Sequence, residues 1–111
     1  MSKVLWEPSH DRKKKTAMYR FMRLQGFKNY DDLYQWSITK RSLFWEELAK
    51  FCDVNFIKKQ NSTLVAGESM TKDRWFDGAE LNFAQHLLRY SGTRPAIIFI
   101  GENSKRQVVS F

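Results

Sequence analysis

The sequence predicts a mainly α fold. A small helical unit of about four helices covers residues 1–92, and a β-hairpin over residues 93–111 would belong to the sheet of a truncated α/β domain. Three observations carry this reading. Apolar side chains recur at three- and four-residue spacing from Ala17 to Cys52, as helices with one buried face require. Trp75-Phe76 runs into Asp77-Gly78, with Glu80 three residues after Asp77, the spacing of a capping box that opens another helix. From Pro95 the character changes: Ala96-Ile97-Ile98-Phe99-Ile100 is apolar on both faces, the pattern of a strand buried between layers.

The elements follow in order. Val4-Leu5-Trp6 before Pro8 is a short extended segment, and Ser9 caps a helix to Leu24 that buries Ala17, Met18, Phe21 and Met22 and ends at Gly26. Asn29 caps the second helix, with Asp31 and Asp32 in its first turn and Leu33 and Trp36 on one side, flanked by Tyr30 and Tyr34. Thr39 or Ser42 caps the third, which aligns Phe44, Leu48, Phe51 and Cys52, with Trp45 beside them and Glu46, Glu47 and Lys50 pointing away. Asp53 to Lys72 reads as a loop with one short strand at Phe56-Ile57, a second short apolar pair at Leu64-Val65 and a turn at Gly67-Glu68-Ser69. The fourth helix runs from Asp77 to about Tyr90 with Leu81, Ala84, Leu87 and Leu88 inward, and Ser91-Gly92 stops it. Gln107 to Phe111 is the partner of the Ala96–Ile100 strand across the polar loop 101–106.

At 111 residues and 42% hydrophobic content the chain is one domain at most, with material for a small core and a narrow stability margin. An isolated two-stranded hairpin is marginal in water, so the terminal hairpin implies a larger sheet, and the expectation is that these residues are the front end of a longer protein. Exposed on its own, such a hairpin would self-associate. The apolar run 96–100 is far too short to span a bilayer, for which about 20 residues are needed. Met1 to Glu7 lacks the apolar stretch of a secretory signal, and Cys52 is the single cysteine, so no internal disulfide is possible. These features point to the cytoplasm, with Cys52 as a buried thiol at the end of an apolar stripe.

The net charge of +7 is local. Residues 1–28 carry Lys3, Arg12, Lys13, Lys14, Lys15, Arg20, Arg23 and Lys28 against Glu7 and Asp11 alone. The plain account is a solvated helix face. The functional account is a basic module that meets nucleic acid or another anionic surface through Lys13, Lys14, Lys15 and Arg20. Against it, the aromatics lie at core spacing and are not interleaved with the basic residues as stacking platforms would be. A third account is a free-standing interaction domain whose hairpin extends a partner's sheet.

No catalytic, cofactor-binding or metal-binding residue is assigned. His10 and His86 stand far apart, no His/Cys set has metal-ligand spacing, and Gly67, Gly78, Gly92 and Gly101 are isolated, unlike a phosphate loop. Asp31-Asp32 and Glu46-Glu47 are adjacent pairs, which point to different sides of a helix and cannot flank one scissile bond.

Several groups of residues match one family in order: Leu5-Trp6-Glu7-Pro8, Arg20-Phe21-Met22, Tyr30-Asp31-Asp32-Leu33, Trp36-Ser37-Ile38, Phe44-Trp45, Trp75 to Ala84, and Arg94 to Phe99. Together they resemble the N-terminal region of acetoacetyl-CoA synthetases. Acetyl-CoA and propionyl-CoA synthetases share the outline, but Ala79 stands where a second glycine would follow Gly78, and the opening and the Arg-Phe-Met triplet resemble the acetoacetate branch. Gln85-His86 departs from the Glu-Asn more frequent in the family. The resemblance implies an adenylate-forming ligase: acetoacetate and ATP give an acyl-adenylate, and coenzyme A then displaces AMP. It implies ATP, magnesium and coenzyme A for the complete enzyme, with catalytic motifs beyond Phe111. Residues 1–92 would be a structural, non-catalytic helical cap, and residues 93–111 the first hairpin of the AMP-binding domain.

Overall fold

In the computed structural model, which describes residues 3–111, Ser9 opens α1 (His10–Lys14) by accepting a hydrogen bond from the Arg12 amide at 3.4 Å. The single helix expected from Ser9 to Leu24 is two helices. Thr16 has an extended backbone, and its hydroxyl accepts from the Tyr19 amide at 3.1 Å to start α2 (Ala17–Leu24). A threonine serves a helix better as a cap than as an interior residue, and residues 10–15 carry no apolar side chain whose phase could reveal the break. At the far end the Phe27 amide returns to the Met22 carbonyl and the Gly26 amide to the Arg23 carbonyl, both at 3.0 Å. This is a Schellman turn, and Gly26 supplies the left-handed residue it needs at φ 83°.

Asn29 caps α3 (Tyr30–Thr39) as expected, its side chain accepting from the Asp32 amide at 2.9 Å. Neither Thr39 nor Ser42 caps α4 (Arg41–Phe51). Thr39 donates back to the Gln35 carbonyl at 2.7 Å, and Lys40 precedes α4 without a side-chain cap. Phe21, Met22 and Leu33 form the buried centre, packed round by Trp36, Phe44, Leu48 and Phe51. The rings meet at angles: Phe21 lies 5.2 Å from Phe51 and edge-on to Phe44 at 6.0 Å, and Trp36 is edge-on to Phe44 at 5.6 Å. Cys52, expected to be a buried thiol, is exposed, because it follows the last residue of α4 and lies past the packed turn.

The stretch after α4 contains a strand ladder that the sequence only half reveals. β1 (Ser62–Val65) pairs antiparallel with β2 (Arg74–Asp77), placing Leu64 opposite Trp75. Phe56-Ile57 is not a strand; the Ile57 amide donates to the Glu80 carbonyl at 2.8 Å beside an isolated bridge between Lys58 and Glu80. Between β1 and β2 the chain makes one 3-10 turn, Met70–Lys72. Asp73 ties this loop down by accepting from the Gly67 amide at 2.9 Å and from Arg41 at 2.8 Å. Gly67 is required by packing, since a Cβ there would lie 2.6 Å from the Lys72 carbonyl carbon.

Asp77 and Glu80 do not form the expected cap. Asp77 ends β2, and the helix begins later, with Asn82 accepting from the Gln85 amide at 3.0 Å at the start of α5 (Phe83–Leu87). Two residue pairs have the same capping spacing, and cross-strand packing of Trp75 on Leu64 draws the first into the sheet. The helix is therefore shorter than expected and stops before Tyr90.

The terminal hairpin forms as expected. β3 (Pro95–Ile100) pairs antiparallel with β4 (Arg106–Ser110), Ile97 opposite Val109 and Ile98 opposite Val108. The five helices and two antiparallel ladders together have a radius of gyration of 19.4 Å. A compact chain of this length would have about 13 Å; α5 and the hairpin make no extensive contact with the helical core.

Candidate functional site

The exposed apolar side chains define the main candidate surface. Leu81, Ala84, Leu87 and Leu88, expected to face inward, are all exposed, Leu88 by 67% and the neighbouring Phe83 by 70%. The apolar stripe of α5 therefore faces solvent. The hairpin adds a second exposed apolar surface. Ile97, Ile98, Phe99, Ile100, Val108 and Val109 are exposed, and consecutive strand residues alternate in direction, so both faces of the hairpin are uncovered. A third apolar region is a cleft of about 490 Å³ between α4 and β2, with Trp45, Leu48, Cys52, Phe56 and Trp75 in its wall. Trp45 and Trp75 meet edge-on at 5.8 Å there. Exposed apolar patches of this kind mark interaction surfaces.

The basic residues singled out in the sequence do not form one array. Lys13 is ion-paired with Glu7, whose carboxyl is held below its ordinary value by the Lys13 hydrogen bond and charge. Arg12 lies over the Trp6 ring at 5.7 Å. Lys14 and Lys15 stand at the end of α1, and Arg20 lies on α2 across the break at Thr16; all three are exposed. Arg12, Lys13 and Lys28 border a groove of about 570 Å³ that Met18, Tyr19 and Met22 also line.

A cluster that the sequence reading missed lies where the helical part meets the hairpin. His86, expected on the outer side of its helix, is half-buried, and its Nδ1 faces the Asn55 amide at 3.5 Å. Nη1 of Arg89 donates to the Asp53 carbonyl at 2.7 Å and approaches His86 at 3.3 Å. Nη2 of Arg89 donates to the Tyr90 hydroxyl at 3.2 Å. The Arg94 guanidinium lies 4.6 Å from the centre of the Tyr90 ring, and the Phe111 ring meets it edge-on at 5.5 Å. The hydrogen bond and charge of Arg89, reinforced by Arg94, hold the Tyr90 phenol below its ordinary value. One signal of this cluster was available beforehand: no Asp or Glu occurs from Leu81 to Gly101, around Arg89 and Arg94.

Among the described residues, no group of three or more His, Cys, Asp or Glu side chains could hold a metal ion. No described helix is long and apolar enough to cross a membrane.

A family model described as acetyl-coenzyme A synthetase N-terminus matches residues 30–87. The chain is 34% identical to acetoacetyl-CoA synthetase of Macaca fascicularis, over 96% of this chain and 16% of that protein. It is likewise 34% identical to acetoacetyl-coenzyme A synthetase of Rhizobium meliloti (strain 1021), over 89% of this chain and 16% of the relative. Among solved structures it is similar to the acetoacetyl-CoA synthetase from Streptomyces lividans, with a TM-score of 0.88 at 27% identity, covering 98% of this chain and 18% of that one. The chain thus spans less than a fifth of the length of the proteins it matches.

Proposed function

The chain belongs to the family of acetyl-coenzyme A synthetase N-termini, and from that premise we propose that it is the N-terminal segment of an acid–thiol ligase that makes acetoacetyl-CoA. The complete enzyme would convert acetoacetate, ATP and coenzyme A to acetoacetyl-CoA, AMP and pyrophosphate through an acyl-adenylate. Residues 1–92 act as a structural cap, and residues 93–111 contribute the first hairpin of the AMP-binding domain, the partner that covers the apolar surfaces. ATP, magnesium and coenzyme A bind elsewhere, and the enzyme works in the cytoplasm. The observation that carries this reading is the match of 98% of the chain to a small part of one solved acetoacetyl-CoA synthetase. The uncovered leucines of α5 and the uncovered hairpin support it, because a cap and a first hairpin need the remainder of the enzyme against them.

A chimera tests the proposal. The corresponding segment of the Streptomyces lividans enzyme is replaced by residues 1–111, and thioester formation from acetoacetate, ATP and coenzyme A is followed. The chimera is expected to turn over, the enzyme lacking the segment to lose activity, and the 111 residues alone to form no thioester. Activity in the isolated 111 residues, or a soluble chimera without activity, would overturn it.

A further inference from the structure

We propose that Arg89, Tyr90 and Arg94 form a binding site for a phosphoryl oxyanion, at the junction of the helical part and the hairpin. Two guanidiniums converge on one phenol ring, at 5.2 Å and 4.6 Å from its centre. Neither has a carboxylate within ion-pair distance among the described residues. Convergence of like charges without an anion is unfavourable, and the absence of acidic residues from Leu81 to Gly101 leaves no local carboxylate to relieve it.

The cluster is held in place before any ligand arrives. Arg89 is fixed by the Asp53 carbonyl at 2.7 Å, and Tyr90 by the edge of Phe111. The Phe111 amide donates to the Arg94 carbonyl at 3.1 Å, which anchors the backbone beneath the second guanidinium. Because the Tyr90 hydroxyl accepts from Arg89, its own hydrogen is available to donate. Two guanidiniums and a phenol hydroxyl offer more donor groups than the two oxygens of a carboxylate accept in one plane, whereas a phosphoryl group presents three oxygens in different directions. The site is exposed, so the phosphoryl group can belong to free phosphate or pyrophosphate or to a nucleotide whose remainder stays in solvent. The assignment stands on this cluster and does not require the ligase reading.

The test uses the 111-residue chain labelled with nitrogen-15, titrated at constant ionic strength with inorganic phosphate, pyrophosphate, coenzyme A and 3′-dephospho-coenzyme A. Saturable shifts are expected from His86 to Arg94, with pyrophosphate tighter than phosphate. Arg94→Gln should weaken binding about tenfold and Arg94→Lys by less, since lysine keeps the charge without the fork; Arg20→Gln should leave it unchanged. A preference of about tenfold for coenzyme A over its dephospho form identifies a nucleotide phosphate as the source, and equal affinities with strong pyrophosphate binding identify the free anion. Arg94→Lys, with a spectrum matching the parent outside residues 86–94, keeps the test decisive if Arg94→Gln does not fold. The proposal is overturned by no saturable shift, by shifts centred on Arg12 to Arg23, by acetate binding as well as phosphate, or by unchanged affinity in both Arg94 variants.

Discussion

Arg41, the first residue of α4, donates to the Asp73 carboxylate at 2.8 Å across the loop between β1 and β2. The same carboxylate receives the Gly67 amide at 2.9 Å, so one side chain holds both the loop and its contact with the helical core. These two interactions, the Gly67 amide first, hold Asp73 below its ordinary carboxylate value. A carboxylate whose folded value is depressed contributes stability above its unfolded value, and that contribution is lost as pH falls through the folded value. Denaturant midpoints should therefore fall as pH drops below about 4. Asp73→Asn should be less stable at neutral pH and show a shallower acid slope. A residual slope is expected from Glu7 and Glu47, held down by Lys13 and Lys50. An unchanged slope in Asp73→Asn would contradict the assignment.

Trp75 joins the strand ladder to α4 through Trp45, yet it is 39% exposed. Trp75→Ala is expected to cost roughly 2–3 kcal/mol, less than a fully buried tryptophan would. A double-mutant cycle with Trp45→Ala should give a coupling of about 0.5–1.5 kcal/mol for the edge-on pair. Additive single effects would show that the rings do not support each other.

Asn82, not Asp77, is the cap of α5. Asn82→Ala should cost about 1 kcal/mol by urea denaturation. Asp77→Ala removes only an exposed pair with Arg74 and should change stability by no more than about 0.5 kcal/mol. The reverse order would restore the capping assignment that the sequence alone suggests.

Gly67→Ala would force a methyl group against the Lys72 backbone. A cost of about 1–3 kcal/mol is expected from this overpacking, together with a shift of the Gly67–Asp73 amide signals. Gly26→Ala places no atom against a neighbour but must hold φ at 83°, so it should lose about 1 kcal/mol from strain alone.

The isolated chain should self-associate through the hairpin. Ile97→Lys and Val109→Lys place charges on directly opposed positions; either alone should lower the association seen in sedimentation, while the near-ultraviolet signal of the aromatic core persists. Association unchanged by both would move the contact elsewhere.

The legible parts of the fold were those written in neighbouring residues. Asn29 with Asp31 and Asp32, Gly26 after Leu24, the stripe Phe44-Leu48-Phe51 and the two runs of the hairpin are all local signals, and each forms its element. What stayed hidden depends on distant partners. Leu64 becomes a strand residue because Trp75 lies across from it, and that pairing turns Asp77 from a helix cap into a strand end. Leu87 and Leu88 carry the periodicity of a buried face, but periodicity says only that a side chain is suited to burial. Arg89 adjoins Tyr90 in the chain, but only the fold lays Arg94 over the same ring. The hairpin's apolar run already pointed to a missing partner, whereas the stripe of α5 became a candidate surface only once its exposure was seen.

The buried centre and its surrounding rings come entirely from residues 19–51. Contacts so close along the chain have little loop-closure entropy to overcome and form fast. During synthesis from the N-terminus this cluster can therefore assemble while later residues are still being added. The cleft beside Trp45 and Trp75 and the stripe on α5 are then ready before the last strands arrive. In that order of events the hairpin is the last of the described elements to pair.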